Sequence, residues 1–172
     1  MRIRNGLVLT DKWQFESCDV SVASGSITGI SLDDVPADSE DVLDAAGMYV
    51  LPGLIDSHIH ACAGYDFCDL EQDSLRKMSQ LLIRYGVTSF LPASMAYDKD
   101  RLEHVFREAG KLIESGIPGG SQIRGIHMEG PFFSKAKKGA QSERYLMNPE
   151  IDFFDRLNGA SGGNIRIVDV AP

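Results

Sequence analysis

Beyond Val50 the sequence alternates short apolar stretches with amphipathic ones, and this alternation constrains the fold more than any other feature. Strand, long return connection, strand is the grammar of a parallel sheet, because parallel neighbours cannot be joined by a tight hairpin. Leu51–Asp56 reads as a buried strand. Ser74–Tyr85 reads as a helix with Leu75, Met78, Leu81 and Leu82 on its apolar side, ended by Gly86. Thr88–Ala93 is the next strand, and Asp98–Glu114 a second helix carrying Leu102, Val105, Phe106 and Leu112 on one face. After a Pro-Gly-Gly turn comes strand Ile123–Glu129, with Gly130-Pro131 terminating it directly after the carboxylate. Asn148 caps a third helix with Pro149 at its first position, and Ile165–Val170 is a fourth strand. Residues 51–172 thus hold about four β/α steps, where a closed (β/α)8 barrel takes eight strands and roughly 200 or more residues. The expected fold class is α/β, the first half of such a barrel.

Residues 1–50 follow a different pattern. Gly6–Thr10, Asp19–Val22 and Ile27–Ile30 read as strands, with Ser24 and Gly25 offering a hairpin turn, so this part is expected to be a small β module. The acidic cluster from Asp33 to Asp44 reads as a solvated loop. A hydrophobic content of 43% is that of a globular protein, and a formal net charge of −8 argues against nucleic acid as a partner, since phosphate backbones are held by Lys and Arg. The first ten residues hold no apolar leader, and nowhere do about eighteen apolar residues run together, which leads to the expectation of a cytoplasmic protein without a membrane partner. Cys18, Cys62 and Cys68, odd in number and at no framework spacing, are expected as reduced thiols.

The chemistry concentrates at two strand ends. In Asp56-Ser57-His58-Ile59-His60, alternate side chains share a face, so both imidazoles point one way and Ile59 the other. Neutral imidazole is a common ligand for Zn²⁺ and similar ions, and the mouth of a barrel is where active sites are built. A pair of surface histidines is the competing reading. Glu129 ends the third strand, where a carboxylate is costly unless hydrogen-bonded or metal-bound; a solvated loop glutamate competes with that. His127 shares a face with Glu129 and is open to two readings, orienting a ligand from behind or sitting satisfied in the core. Asp169 lies on strand four, with no role assigned, and His104 on an outer helix face. Cys62 is weighed as a thiolate ligand against a small buried thiol, the reading favoured. Lys135, Lys137, Lys138 and Arg144 form a basic run, read as a solvated loop.

Pro52 through His60 resembles the first-strand signature of the amidohydrolase superfamily. Gly125-Ile126-His127-Met128-Glu129-Gly130-Pro131-Phe132, followed by Lys138-Gly139-Ala140-Gln141, is similar to the N-acetylglucosamine-6-phosphate deacetylase family within it. Tyr85 through Ser94 and the ending Val170-Ala171-Pro172 agree. The resemblance covers the amino-terminal portion of that family, and implies a small β-sandwich segment ahead of the barrel. It implies that Glu129 is a metal ligand, that His58 and His60 belong to a two-histidine subset of members, and that Ala140 and Gln141 contact substrate. The implied cofactor is a divalent metal, zinc or iron, as one or two ions. The implied reaction is hydrolysis of the acetamido group of a sugar phosphate, with the general acid/base and further ligands beyond residue 172. The implied partner is a small-molecule substrate, with a homodimer for the complete enzyme or a complementary half-barrel for this chain. Other amidohydrolases, such as cyclic amidases and deaminases, share the first-strand motif, and a non-catalytic half-barrel is the third reading.

Overall fold

The computed structural model describes residues 1–31, 41–70 and 73–172. They divide into two compact units, Met1–Pro52 and Gly53–Pro172.

The first unit is one sheet built from β1 (Arg2–Leu9), β2 (Phe15–Ala23), β3 (Ser26–Ser31), β4 (Val42–Asp44) and β5 (Tyr49–Val50). The order is β3-β2-β1-β4, with β5 also on β1. The first three strands form an antiparallel meander, whereas β4 and β5 lie parallel to β1. Its core is thin, centred on Val8, Cys18 and Val20. Beside it the buried Arg2 is neutralised by Asp19 at 2.9 Å. Of the acidic stretch expected as a loop, Asp33 to Glu40 lies outside the described residues. Val42–Asp44 forms a strand rather than a loop, because the edge of β1 is free to accept it: Arg2 pairs with Val42 and Arg4 with Asp44.

The second unit carries the alternation read from the sequence. It comprises β6 (Leu54–Ile59), a small hairpin of β7 (Ala61–Cys62) and β8 (Tyr65–Asp66), α1 (Ser74–Leu82) and β9 (Val87–Pro92). There follow α2 (Lys99–Ser115), β10 (Gln122–Ile123), β11 (Ile126–Phe133), α3 (Ile151–Ala160) and β12 (Ile165–Ala171). β6 pairs in parallel with β9, β9 with β10, and β11 with β12. A parallel bridge from Ala93 to His127 ties the end of β9 to β11. The long strands therefore lie side by side in chain order, which brings their carboxyl ends, and the residues just past them, to one edge. Helix faces pack on this layer: Leu75 and Leu82 from α1, Leu102 and Phe106 from α2, Phe153 and Leu157 from α3, against Phe90, Ile126 and Met128. Asp98 caps α2 by accepting from the Arg101 amide at 2.9 Å. Gly86 closes the turn after α1 in the left-handed conformation, φ 78°, that an L side chain rarely adopts.

Three local expectations are corrected. The first strand of this unit runs over Leu54–Ile59, not Leu51–Asp56, and is not buried: Ile55 is 76% exposed. It is an edge strand with β9 on one side alone among the described residues. Gly130-Pro131 does not end the third strand, which continues to Phe133 because β12 runs on beside it and pairs Ala171 with Phe133. The third helix starts at Ile151 with Glu150 at its cap, two residues past the Asn148-Pro149 expected to open it. The first helical bond there runs from the Phe154 amide to the Glu150 carbonyl, at 3.0 Å.

Candidate metal centre

The parallel register carries His58 and His60, at and just past the end of β6, to Glu129 in the middle of β11. Nε2 of His60 lies 2.9 Å and Nε2 of His58 3.4 Å from Glu129 Oε2. The ligand atoms of the three residues all fall within 4.8 Å of one another. The two imidazoles stand nearly perpendicular, with centroids 4.8 Å apart.

Each of the three is held from behind. Nδ1 of His60 is 3.0 Å from the Ala93 carbonyl oxygen, which accepts and never donates, so Nδ1 carries a proton and, in the neutral imidazole, Nε2 presents a lone pair. The His58 backbone amide donates to Asp56 Oδ1 at 3.0 Å. Glu129 Oε1 accepts from Gln141 Nε2 at 3.1 Å, and Gln141 Oε1 accepts from the Ala96 amide at 2.7 Å. Gln141 is buried, so this side-chain amide is a strut between the carboxylate and the loop after β9.

Glu129 Oε2 is buried and has no hydrogen-bond donor among the described residues. Nε2 of His60 approaches this oxygen to 2.9 Å without the alignment of a hydrogen bond. In the neutral imidazole, the tautomer favoured by Ala93 turns a lone pair, not a proton, toward that oxygen. Two electron-rich atoms facing each other in a partly buried site call for a cation between them. The spacing fits a metal ion: ligand bonds of about 2.0–2.1 Å at 90–110° place donor atoms about 2.9–3.4 Å apart. A donor set of two imidazoles and one carboxylate suits Zn²⁺ and other divalent transition metals.

Behind His58 stands a second arrangement. His127, buried on β11, has Nδ1 3.2 Å from His58 Nδ1 and 3.1 Å from the Ser57 carbonyl oxygen, while its Nε2 is 2.9 Å from Asp169 Oδ2 on β12. The structure thus brings together His58, His60, Glu129 and Gln141, together with His127 and Asp169. Ala140 is exposed in the loop beside them.

Other candidates lie apart from the centre. His104 is exposed on α2. Asp66 and Asp69 are spent on their own loop, accepting from the Cys68 and Asp66 amides at 2.7 and 2.8 Å. Cys62 Sγ sits 4.0 Å from the Met78 carbonyl, and burial, with the Asp56 carboxylate adding to it, raises its pKa and keeps it a thiol. In the basic loop, Lys138 donates to the Gln141 carbonyl at 3.1 Å and Lys135 pairs with Glu143 at 3.7 Å. The Ala93 carbonyl, the Ala96 amide and the inward turn of Gln141 were not foreseen as parts of the site. Two are backbone atoms and carry no sequence signal; Gln141 was signalled by its loop motif, without this role.

Residues 41–89 match the model of the amidohydrolase family. The chain is 32% identical over 170 residues to N-acetylglucosamine-6-phosphate deacetylase of Lysinibacillus sphaericus, covering 99% of this chain and 43% of that protein. Its likeness to the Bacillus subtilis (strain 168) enzyme of the same name is 30% over 173 residues, 99% of this chain and 44% of that one. Among solved structures, N-acetyl-D-glucosamine-6-phosphate deacetylase from Mycobacterium smegmatis superposes with a TM-score of 0.84 at 25% identity, over 100% of this chain and 44% of that chain. The chain spans less than half the length of the relatives it matches. Among its described residues no helix is long and apolar enough to cross a membrane.

Proposed function

We propose that this chain takes part in hydrolysing the acetamido group of N-acetylglucosamine 6-phosphate to glucosamine 6-phosphate and acetate, supplying the Glu129, His58 and His60 side of the active site. The observation that carries the reading is the buried Oε2 of Glu129, without a hydrogen-bond donor among the described residues and 2.9 Å from Nε2 of His60. These three residues would hold a divalent cation, zinc or iron, as one or two ions. When bound, such an ion polarises an amide carbonyl and lowers the pKa of water.

The chain's own part is to fix that site. Glu129 brings the compensating negative charge, Gln141 keeps its second oxygen occupied, and the Ala93 carbonyl fixes the tautomer of His60. Ala140 and Gln141 are assigned to the sugar side, Ala140 through its exposed backbone and Gln141 through the loop it anchors. The general acid/base is assigned outside residues 1–172, so the chain alone is expected to bind metal without turnover. The setting is amino sugar breakdown in the cytoplasm.

β6, β9, β10 with β11, and β12 are taken as the first four strands of a (β/α)8 barrel, on the support of their parallel, in-order register. The first unit is taken as part of a β-sandwich. Leu54 and Ile55 on the β6 edge and Val170 on the β12 edge are exposed and apolar, as expected of edges that further strands of the barrel would cover. A homodimer is proposed for the complete enzyme.

The test is acetate release. Combined with a polypeptide covering the rest of the relatives' length, the chain should deacetylate N-acetylglucosamine 6-phosphate in a metal-dependent way, and Glu129→Gln should abolish it. Activity retained by that variant at unchanged metal content contradicts the assignment. Ring opening of a cyclic amide, or deamination, without acetate release would move the chain to another branch of the amidohydrolases.

A further inference from the structure

We infer that Asp169 and His127 form a relay that fixes the orientation and tautomer of His58, and so sets how tightly the site holds its cation; this rests on the metal-centre reading above. His58, His127 and Asp169 have ligand atoms within 4.8 Å of one another, which invites a second metal site. The geometry argues for a chain instead. His127 meets His58 through Nδ1 and Asp169 through Nε2, and these two nitrogens point away from each other across the ring. The imidazole therefore stands between its neighbours and cannot aim one lone pair at a point shared with both.

Proton placement follows from the end of the chain. The Asp169 carboxylate accepts and does not donate, so at 2.9 Å it favours the proton of His127 on Nε2. Nδ1 of His127 is then a lone pair, able to accept from Nδ1–H of His58 at 3.2 Å. With its proton on Nδ1, His58 presents the Nε2 lone pair on the side of Glu129 Oε2. The Ser57 carbonyl, 3.1 Å from His127 Nδ1, is the rival: it is satisfied when that nitrogen carries the proton, and His58 then loses its acceptor. Asp169 decides between the two arrangements, because the rival one turns a lone pair of His127 onto a carboxylate.

The relay is held in place. His127 is 7% exposed, its carbonyl accepts from the Ser94 amide at 2.9 Å, and its ring packs edge-on to that of His58 with centroids 4.7 Å apart. Asp169 is set opposite Glu129 by the β11–β12 register. Carboxylate and imidazole partners behind a metal-binding histidine commonly govern metal affinity by roughly 10- to 100-fold when removed.

The experiment is a Co²⁺ titration of the chain, read by visible absorption, on wild type and the variants Asp169→Ala, Asp169→Glu, His127→Ala, the double alanine variant and Glu129→Gln. Circular dichroism checks folding, and Asp169→Ser replaces Asp169→Ala should the latter not fold. The relay predicts a roughly 10- to 100-fold weaker Co²⁺ affinity and shifted bands in either single alanine variant. It also predicts little further loss in the double variant, and partial recovery with Asp169→Glu. Wild-type affinity and spectrum in both alanine variants, with binding abolished by Glu129→Gln, overturn the relay and leave the metal centre standing. Co²⁺ binding that Glu129→Gln does not change overturns the metal centre itself, and the relay with it.

Discussion

Replacing Gln141 by Leu tests the strut beneath the metal centre. Its amide makes two contacts that a leucine of similar size cannot: Oε1 accepts from the Ala96 amide at 2.7 Å, and Nε2 donates to Glu129 Oε1 at 3.1 Å. Ala96 is 3% exposed, so its N–H would lose its acceptor with little access to water, a loss of about 1–3 kcal/mol. The bond to a carboxylate is charge-assisted and contributes roughly 1.5–3 kcal/mol, discounted because Glu129 keeps some exposure and water replaces part of it. The expected destabilisation is about 2–4 kcal/mol. Urea denaturation followed by circular dichroism measures it, and hydrogen exchange at Ala96 gives the local readout, with protection falling sharply in the variant. Gln141→Glu separates the two halves: it keeps an acceptor for Ala96, so protection there survives, while it sets a second carboxylate against Glu129. A Gln141→Leu chain within about 0.5 kcal/mol of wild type, with Ala96 protection unchanged, would refute the strut.

Two further outcomes follow from the second unit. A methyl group at Gly110 on α2 would sit 2.7 Å from the Ser161 carbonyl oxygen at the end of α3, so Gly110→Ala should push the helices apart and cost about 1–3 kcal/mol, read as a lowered thermal midpoint; an unchanged midpoint would contradict that packing. Burial pushes the Cys68 thiol from 9.0 up to about 12, so the unfolded chain loses this proton first and stability should fall as pH rises from 9 toward 12. Cys68→Ala should flatten that part of the denaturation profile, and an equal slope in both proteins would show that Cys68 is not its source.

What the sequence revealed depended on whether the signal was local. Helix α2 was legible because its cap, Asp98, and its buried Leu102, Val105 and Phe106 lie within one periodic stretch. The burial of strand β6 was not legible, because an apolar run states what a strand prefers to contact, and Ile55 nevertheless lies on an open edge. Gly130-Pro131 looked like punctuation, yet the pairing of Phe133 with Ala171, decided by a strand 38 residues on, carries β11 through it. At the site, the structure brings the three candidate ligands together, since alternation along a strand end and parallel order already imply convergence. Their supports were hidden for a physical reason: a carbonyl at Ala93 and an amide at Ala96 act through backbone atoms that every residue possesses. Asp169 was visible as a residue but not as a partner, because its contact with His127 exists through the register of β11 on β12.

The most direct test of the central claim is an anomalous difference map from crystals of the chain soaked in Zn²⁺. The account predicts a peak about 2.0–2.2 Å from Nε2 of His58, Nε2 of His60 and Oε2 of Glu129 together. A chain that takes up no zinc at this point, or binds it elsewhere with Glu129 Oε2 donating a proton to His60, would contradict it.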